Sequence, residues 1–165
     1  MLRNKWGVLL VCLLGLVGCQ PEGYTITPLY KNNVVNKKLQ AVYVATIPGK
    51  YGVYLHNKLV YLVNPIGTPV YRLNVSFVTT ERKLSITHDD SSARQEIRLD
   101  AKFTIQFIDG SNRKDETFSV VSFGKYTSVS TPYKTEVAKD KALKNALSLA
   151  ARMGVLQLAI MLNNK

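Results

Sequence analysis

The side chains that could do chemistry in this sequence are few: two cysteines, two histidines and the adjacent acids Asp89-Asp90. Cys19 directly follows Leu16-Val17-Gly18, an apolar stretch ending in a small residue. That pattern reads as a lipobox: the thiol accepts a diacylglycerol, and a peptidase then cuts on its N-terminal side, with Gly18 small enough for the cleft. Cys12 lies inside the apolar run Trp6–Val17 and leaves with the removed segment. With Cys19 consumed by lipid, the mature chain keeps no thiol for a disulfide, a metal site or a nucleophile. His56 falls in a predicted helix and His88 in a polar stretch, and neither has an evident nucleophile or orienting acid beside it. Asp89-Asp90 has no further carboxylates clustered nearby, so it reads as a solvated loop rather than a cation site. There is no glycine-rich phosphate loop and no internal repeat. The expectation is a protein that is not an enzyme, with no metal and no cofactor beyond the covalent lipid on Cys19.

The first eighteen residues have the layout of a secretory signal. Arg3 and Lys5 form a positive start, and Trp6–Val17 runs without a charge, too short to span a bilayer as a helix. Each acyl CH₂ buried in a bilayer contributes about 0.8 kcal/mol, so the lipid expected on Cys19 would hold the chain firmly to a membrane. Gln20, rather than Asp, follows the cysteine, which points to the periplasmic side of the outer membrane. Removing residues 1–18 leaves 147 residues, enough for one domain with a sizeable core. Loss of Arg3 and Lys5 reduces the 22 basic residues to 20 against 11 acids, a net charge of +9. In that compartment a basic surface meets anionic lipid, lipopolysaccharide, peptidoglycan or an acidic protein, and no nucleic acid is expected.

The elements that would position any functional surface follow from hydrophobic periodicity. Residues 19–38 read as a lipidated N-terminus and tether, and residues 39–165 as a single domain. Leu39–Ile47 is β-branched and aromatic with apolar residues on both faces, which predicts a strand covered on both sides. From Lys50 to Val63 the period becomes helical, with Tyr51, Leu55, Leu59 and Leu62 on one stripe, and Asn64-Pro65 ends it. Tyr54 and Tyr61 form a second stripe, and Val53 and Val60 a third. A helix so apolar is either deep in the core or covered by a partner, and Tyr54 and Tyr61 are the partner-facing candidates.

Strict alternation then predicts strands. Tyr71, Leu73, Val75 and Phe77 point one way, and Arg72, Asn74 and Ser76 the other. Thr80–Ser92 reads as a long loop or ragged hairpin end. Ile97, Leu99, Ala101, Phe103, Ile105 and Phe107 form a second alternating strand, Asp109-Gly110 a hairpin turn, and Phe118–Ser128 a returning strand with a less clearly defined inner face. Thr131 and Pro132 start a helix to about residue 162. Its stripe is Leu143, Leu147, Ala150, Gly154, Leu158 and Met161, with Lys141, Lys144, Asn145, Ser148 and Arg152 opposite. At about 1.5 Å per residue this helix spans roughly 45 Å. The order β-α-β-β-β-α predicts an α+β two-layer sandwich, a four-stranded mixed sheet with both helices on one face. The other face carries the basic candidates: Arg72 on one polar face, and Arg94, Arg98 and Lys102 on another that adjoins it. Arg94, Glu96, Arg98, Asp100 and Lys102 alternate in sign, as a solvated strand also does.

These pieces together resemble the LPS-assembly lipoprotein (LptE) family in its alphaproteobacterial form. The matching residues are Cys19, Gly23-Tyr24, Pro28-Leu29-Tyr30, Tyr71-Arg72-Leu73, Arg94, Asp109-Gly110, Tyr126, Pro132-Tyr133, Ala138, Asp140 and Ala142. The family pattern has Cys-Gly-Phe at the cut, whereas here Gln20-Pro21-Glu22 intervenes and Tyr24 replaces the aromatic. The resemblance implies a non-catalytic plug in the outer-membrane β-barrel LPS-assembly protein (LptD type), one that assists barrel assembly and touches lipopolysaccharide. Arg72, Arg94, Arg98 and Lys102 are then the lipopolysaccharide-contact candidates, since guanidinium forks match phosphate and carboxylate groups. The alternative is a free-standing periplasmic lipoprotein that acts as a binding or inhibitor module.

Overall fold

Ile97, Leu99, Ala101, Phe103 and Ile105 occupy alternate positions of one strand and are all essentially buried. The strand belongs to a computed structural model that describes residues 33–86, 92–108, 110 and 113–163. Within those bounds the elements are α1 (Asn33–Gln40), β1 (Val42–Val44), α2 (Lys50–Val63), β2 (Tyr71–Ile86), β3 (Ser92–Phe107), β4 (Glu116–Val129) and α3 (Pro132–Asn163). The strands form one sheet in the order β1-β2-β3-β4. β1 pairs with β2 in parallel, and the remaining neighbours are antiparallel. α2 and α3 pack on one face of it, giving the α+β sandwich that the periodicity predicts.

Register explains which face is dry. Leu73 lies opposite Ile105, and Phe103 opposite Phe118, so alternate positions on three strands point together at the helices. The Phe103 and Phe118 rings stack there at 5.0 Å between centroids. β4 has a cleaner inner face than its sequence suggests. Phe118, Val120, Ser122, Gly124 and Tyr126 all point inward, and the two small residues mark where α3 comes closest. Ser122 Oγ donates to the Ala146 carbonyl at 2.9 Å. A Cβ at Gly124 would run into the carbonyl of Ala142, and one at Gly154 would meet Phe103 Cζ at 2.5 Å. Glycine and serine therefore let the helix backbone settle onto the sheet.

Three expectations are corrected. Residues 33–38, read as tether, belong to α1, which Val35 and Leu39 pin into the core one turn apart. Lys38 Nζ donates to the Leu162 carbonyl at 2.7 Å, tying α1 to the end of α3. The first strand is only Val42–Val44, at the sheet edge, with Tyr43 exposed rather than covered. Its short length follows from α1 running through Gln40 and from the turn ahead of α2. The polar segment from Thr80 is not a loop at its start, because β2 continues to Ile86 and pairs with β3, with a register shift between Lys83 and Ser85. His88 and Asp89-Asp90 lie outside the described residues, as do residues 1–18, Cys19 and the tether to residue 32.

Candidate functional site

The face of the sheet away from the helices is where the basic candidates fall. Arg72 lies opposite Gln106, and Ser76 opposite Lys102, so Arg72, Arg94, Arg98 and Lys102 share one open face. The expectation of two adjoining polar faces is corrected: cross-strand partners project to the same side, so pairing merges them. They are spread along it, however, with Arg72 and Arg94 roughly 40 Å apart at strand rise. Arg72 lies over the Tyr43 ring at 5.7 Å. Arg98 forks onto Asp100, with Nε at 3.0 Å from Oδ2 and a terminal nitrogen at 2.9 Å from Oδ1. That pairing holds the guanidinium even more firmly protonated. Lys102 and Arg94 are exposed.

Pairing also brings in residues that sequence periodicity did not single out. Glu96 is 5% exposed although it sits on the open face. Arg82 covers it, with a terminal nitrogen at 2.7 Å and Nε at 2.8 Å from Oε1, and Lys125 Nζ lies 4.0 Å from Oε2. Glu96 faces Arg82 on β2 and Lys125 on β4, a cluster that only the register could reveal. Beside it a hollow of about 250 Å³ is lined by Leu84, Arg94, Gln95, Lys125, Tyr126 and Thr127. Arg94 and Lys125 thus set two cations beside Leu84. On the same open face Val78 and Val121 flank Asp100, and Phe123 lies beside Arg98. All three apolar side chains are exposed. The face is therefore basic with an apolar centre, not uniformly polar.

On the helix layer, Tyr54 and Tyr61 line one groove of about 390 Å³ with Asn57 and Lys58. The structure separates the two tyrosines in character. Tyr54 is partly buried, and its hydroxyl shares a hydrogen bond with Ser148 Oγ at 3.0 Å. Tyr61 is 79% exposed, and Val53 is exposed too. The buried residues of α2 are Gly52, Leu55, Leu59 and Val63, so this chain covers one side of the helix and leaves the other open. Cover on several sides is not supplied by the described residues.

Two polar clusters brace the helices. Asp140 accepts from Lys144 Nζ at 2.6 Å, Lys50 Nζ at 3.2 Å and the Tyr51 hydroxyl at 3.1 Å. Those donors, Lys144 first and Lys50 next, lower its carboxyl to about 2. Burial and the neighbouring Asp140 raise the Tyr51 hydroxyl. At the other cluster the Tyr126 hydroxyl is shared between Gln95 (2.7 Å) and Glu81 (3.2 Å), while Lys139 pairs with Glu81 at 2.6 Å. Burial raises Tyr126, and Glu81 adds to it. Both clusters are satisfied ties between elements rather than free reactive groups. Among the described residues no group of three or more His, Cys, Asp or Glu could hold a metal.

Fold and surface together define a two-layer α+β domain with an open basic sheet face. Solved structures share that fold. A Caulobacter crescentus protein described as a lipoprotein superposes with a TM-score of 0.64 at 19% identity, covering 79% of this chain and 97% of the other. Rare lipoprotein B from Shewanella oneidensis gives a TM-score of 0.57 at 12% identity, covering 74% and 95%. A minor lipoprotein from Acinetobacter baumannii gives 0.51 at 14% identity, covering 72% and 88%. No family model and no curated protein matches the sequence.

Proposed function

We propose that this chain is a lipoprotein anchored through Cys19 to the periplasmic side of the outer membrane. There it plugs, and assists assembly of, the β-barrel that delivers lipopolysaccharide to the cell surface. The role is non-catalytic, with lipid as the only covalent attachment. The observation that carries the reading is the open sheet face, whose basic side chains on either side of the apolar Val78, Val121 and Phe123 suit the polar lumen of a barrel. The partly uncovered helix α2, with Tyr61 outermost, supplies a second surface for such a partner. The resemblance of the sequence to the LPS-assembly lipoprotein family, and a fold shared with proteins described as lipoproteins, support it.

Lipopolysaccharide contact belongs to the Arg94 end of the face. There Arg94 and Lys125 stand together, and Arg98 is already engaged by Asp100. Depletion tests the main reading: the amount of correctly folded barrel and of surface lipopolysaccharide should both fall. Normal levels of both after depletion would reject it, and a free-standing periplasmic lipoprotein would take its place. A variant with Arg72, Arg94, Arg98 and Lys102 all changed to Gln tests the lipid contact. It should fold, join its barrel and bind lipopolysaccharide less tightly, more so at low salt. Unchanged binding would assign the face to the barrel or to solvent.

A further inference from the structure

The point at which the chain enters α1 decides which end of the domain stands nearest a bilayer. Residues 19–32, fourteen in all, join Cys19 to α1 and reach at most roughly 50 Å when fully extended. The domain is about as long, since the sixteen residues of β2 rise roughly 50 Å. α1 lies at the end where β2 starts and α3 finishes: the Val70 N–H donates to the Ala41 carbonyl at 2.8 Å, and Lys38 Nζ to the Leu162 carbonyl at 2.7 Å. A chain anchored at Cys19 keeps that end within reach of the membrane. The end where β2 turns into β3 meets it end-on only with residues 19–32 drawn out along the whole domain.

The near end has the side chains for such a contact. The Ile66 N–H donates to the Gln40 carbonyl at 2.8 Å, and the Ile108 N–H to the Val70 carbonyl at 2.9 Å, so the turns after α2 and β3 are stitched to the end of α1. Each of these segments holds out an aliphatic side chain that the fold leaves open: Val34 and Ile66 are 60% exposed, and Ile108 46%. Exposed cations stand beside them. Lys37 shares a helix face with Val34 three residues earlier, and Arg113 and Lys114 follow Ile108 on the same turn. The described acids at this end are Asp115, which accepts from Gln106 Nε2 at 2.9 Å, and Glu116 at the start of β4. Aliphatic tips among Lys and Arg suit the headgroup level of an anionic bilayer, where the tips leave water and the cations stay at the surface.

We infer that this end of the domain is a membrane-contact surface. Val34, Ile66 and Ile108 dip into the headgroup region of an anionic phospholipid bilayer, and Lys37, Arg113 and Lys114 meet its phosphates. The inference rests on the Cys19 anchor of the reading above and goes beyond it, because it sets how the domain stands: end-on to lipid, with the open sheet face and α2 turned sideways toward a partner. Composition alone does not choose this end, since the far end also exposes Leu84, Tyr133 and Val137 beside Lys83 and Lys134. The place where residues 19–32 join the domain does. Three tips and three cations bind weakly by themselves, and the anchor makes them effective by holding them at high local concentration.

The full mature chain, produced from residue 19 with Cys19→Ser and so free of lipid, tests the surface on vesicles of equal parts phosphatidylcholine and phosphatidylglycerol. It should co-sediment with them at low salt and come off as salt rises. Trp6 is the sole tryptophan and is absent from this chain, so an introduced tryptophan reports its own surroundings. With Ile66→Trp or Ile108→Trp, emission should shift to the blue on the vesicles and be quenched by brominated acyl chains, and with Tyr133→Trp, at the far end, neither should happen. Ile66→Asp combined with Ile108→Asp, both at exposed positions, should weaken binding at least about tenfold without unfolding the chain. Changing Lys37, Arg113 and Lys114 together to Gln should weaken it about tenfold. No binding at low salt overturns the inference, as does quenching at Tyr133→Trp equal to that at Ile66→Trp, or binding indifferent to both sets of substitutions. Because neither anchor nor barrel is present, failure here leaves the plug reading standing, whereas a native chain without acyl mass on Cys19 takes this inference down with the anchor.

Discussion

Gly124 of β4 lies directly beneath the carbonyl of Ala142 in α3, so close that a methyl group has no place between strand and helix. The obstacle is backbone, which cannot rotate away as a side chain does. Gly124→Ala should therefore push α3 off the sheet and cost roughly 2–4 kcal/mol, read as a lower urea midpoint with an unchanged slope. A change below about 0.5 kcal/mol would show that the helix can lift without losing its packing.

Asp140 makes stability depend on acidity. Its folded carboxyl titrates at about 2, below the ordinary 3.8, because Lys144 and Lys50 hold the charged form. The unfolded chain therefore binds this proton more readily. The contribution is complete above about pH 4 and is lost as pH falls through about 2. Thermal unfolding scans between those limits should show the midpoint dropping more steeply for the parent than for Asp140→Asn. Parallel curves would mean that the three donors do not act together in solution.

The two tyrosines of α2 should behave differently. Tyr54→Phe removes the hydrogen bond to Ser148 and should cost about 0.5–1.5 kcal/mol in denaturant unfolding. Tyr61→Ser, at a position 79% exposed, should stay within about 0.5 kcal/mol of the parent. If Tyr61 faces a barrel, a photo-crosslinker there should capture that protein in membranes, and one at Tyr54 much less. The reverse pattern would remove α2 from the partner surface.

Glu96 offers a test of the open face itself. Arg82→Gln leaves a nearly buried carboxylate with, among the described residues, Lys125 at 4.0 Å as its remaining cation, and should cost roughly 1–3 kcal/mol. Adding Glu96→Gln to that variant should recover part of the loss, a coupling that a double-mutant cycle measures directly. Independent, additive effects would mean that the guanidinium does not satisfy the acid.

Lipidation is the most direct check on the N-terminus. Intact-mass analysis of the mature protein should show acyl chains on Cys19, and Cys19→Ser should leave an uncleaved or soluble form without them. A wild-type chain free of acyl mass would rule out the anchor.

How much the sequence determined by itself depends on whether the signal was local. The six alternating apolar positions from Ile97 to Phe107 gave β3, and the Lys50–Val63 period gave α2 with its ends. In both, one face is apolar over several turns or pleats, and burial of that face overrides local propensity. The parallel β1–β2 pair and the antiparallel hairpins followed from connection lengths, which permit few topologies. Where the signal was thin, the reading failed. α1 has only Val35 and Leu39 to bury in a polar segment, and the inner face of β4 was obscured by Ser122 and Gly124, whose small size has meaning only once α3 lies on them.

The candidate surface divides the same way. The pattern read as a lipobox is contiguous, and the identities of Arg72, Arg94, Arg98 and Lys102 could be read from strand period. Their union on one face, the engagement of Arg98 by Asp100 and the burial of Glu96 beneath Arg82 could not. Period tells a residue's side within its own strand, but not which side of the neighbouring strand it matches. That choice is made by cross-strand register, which depends on how all three long strands bury their apolar faces at once against α3, and so exists only in the folded chain.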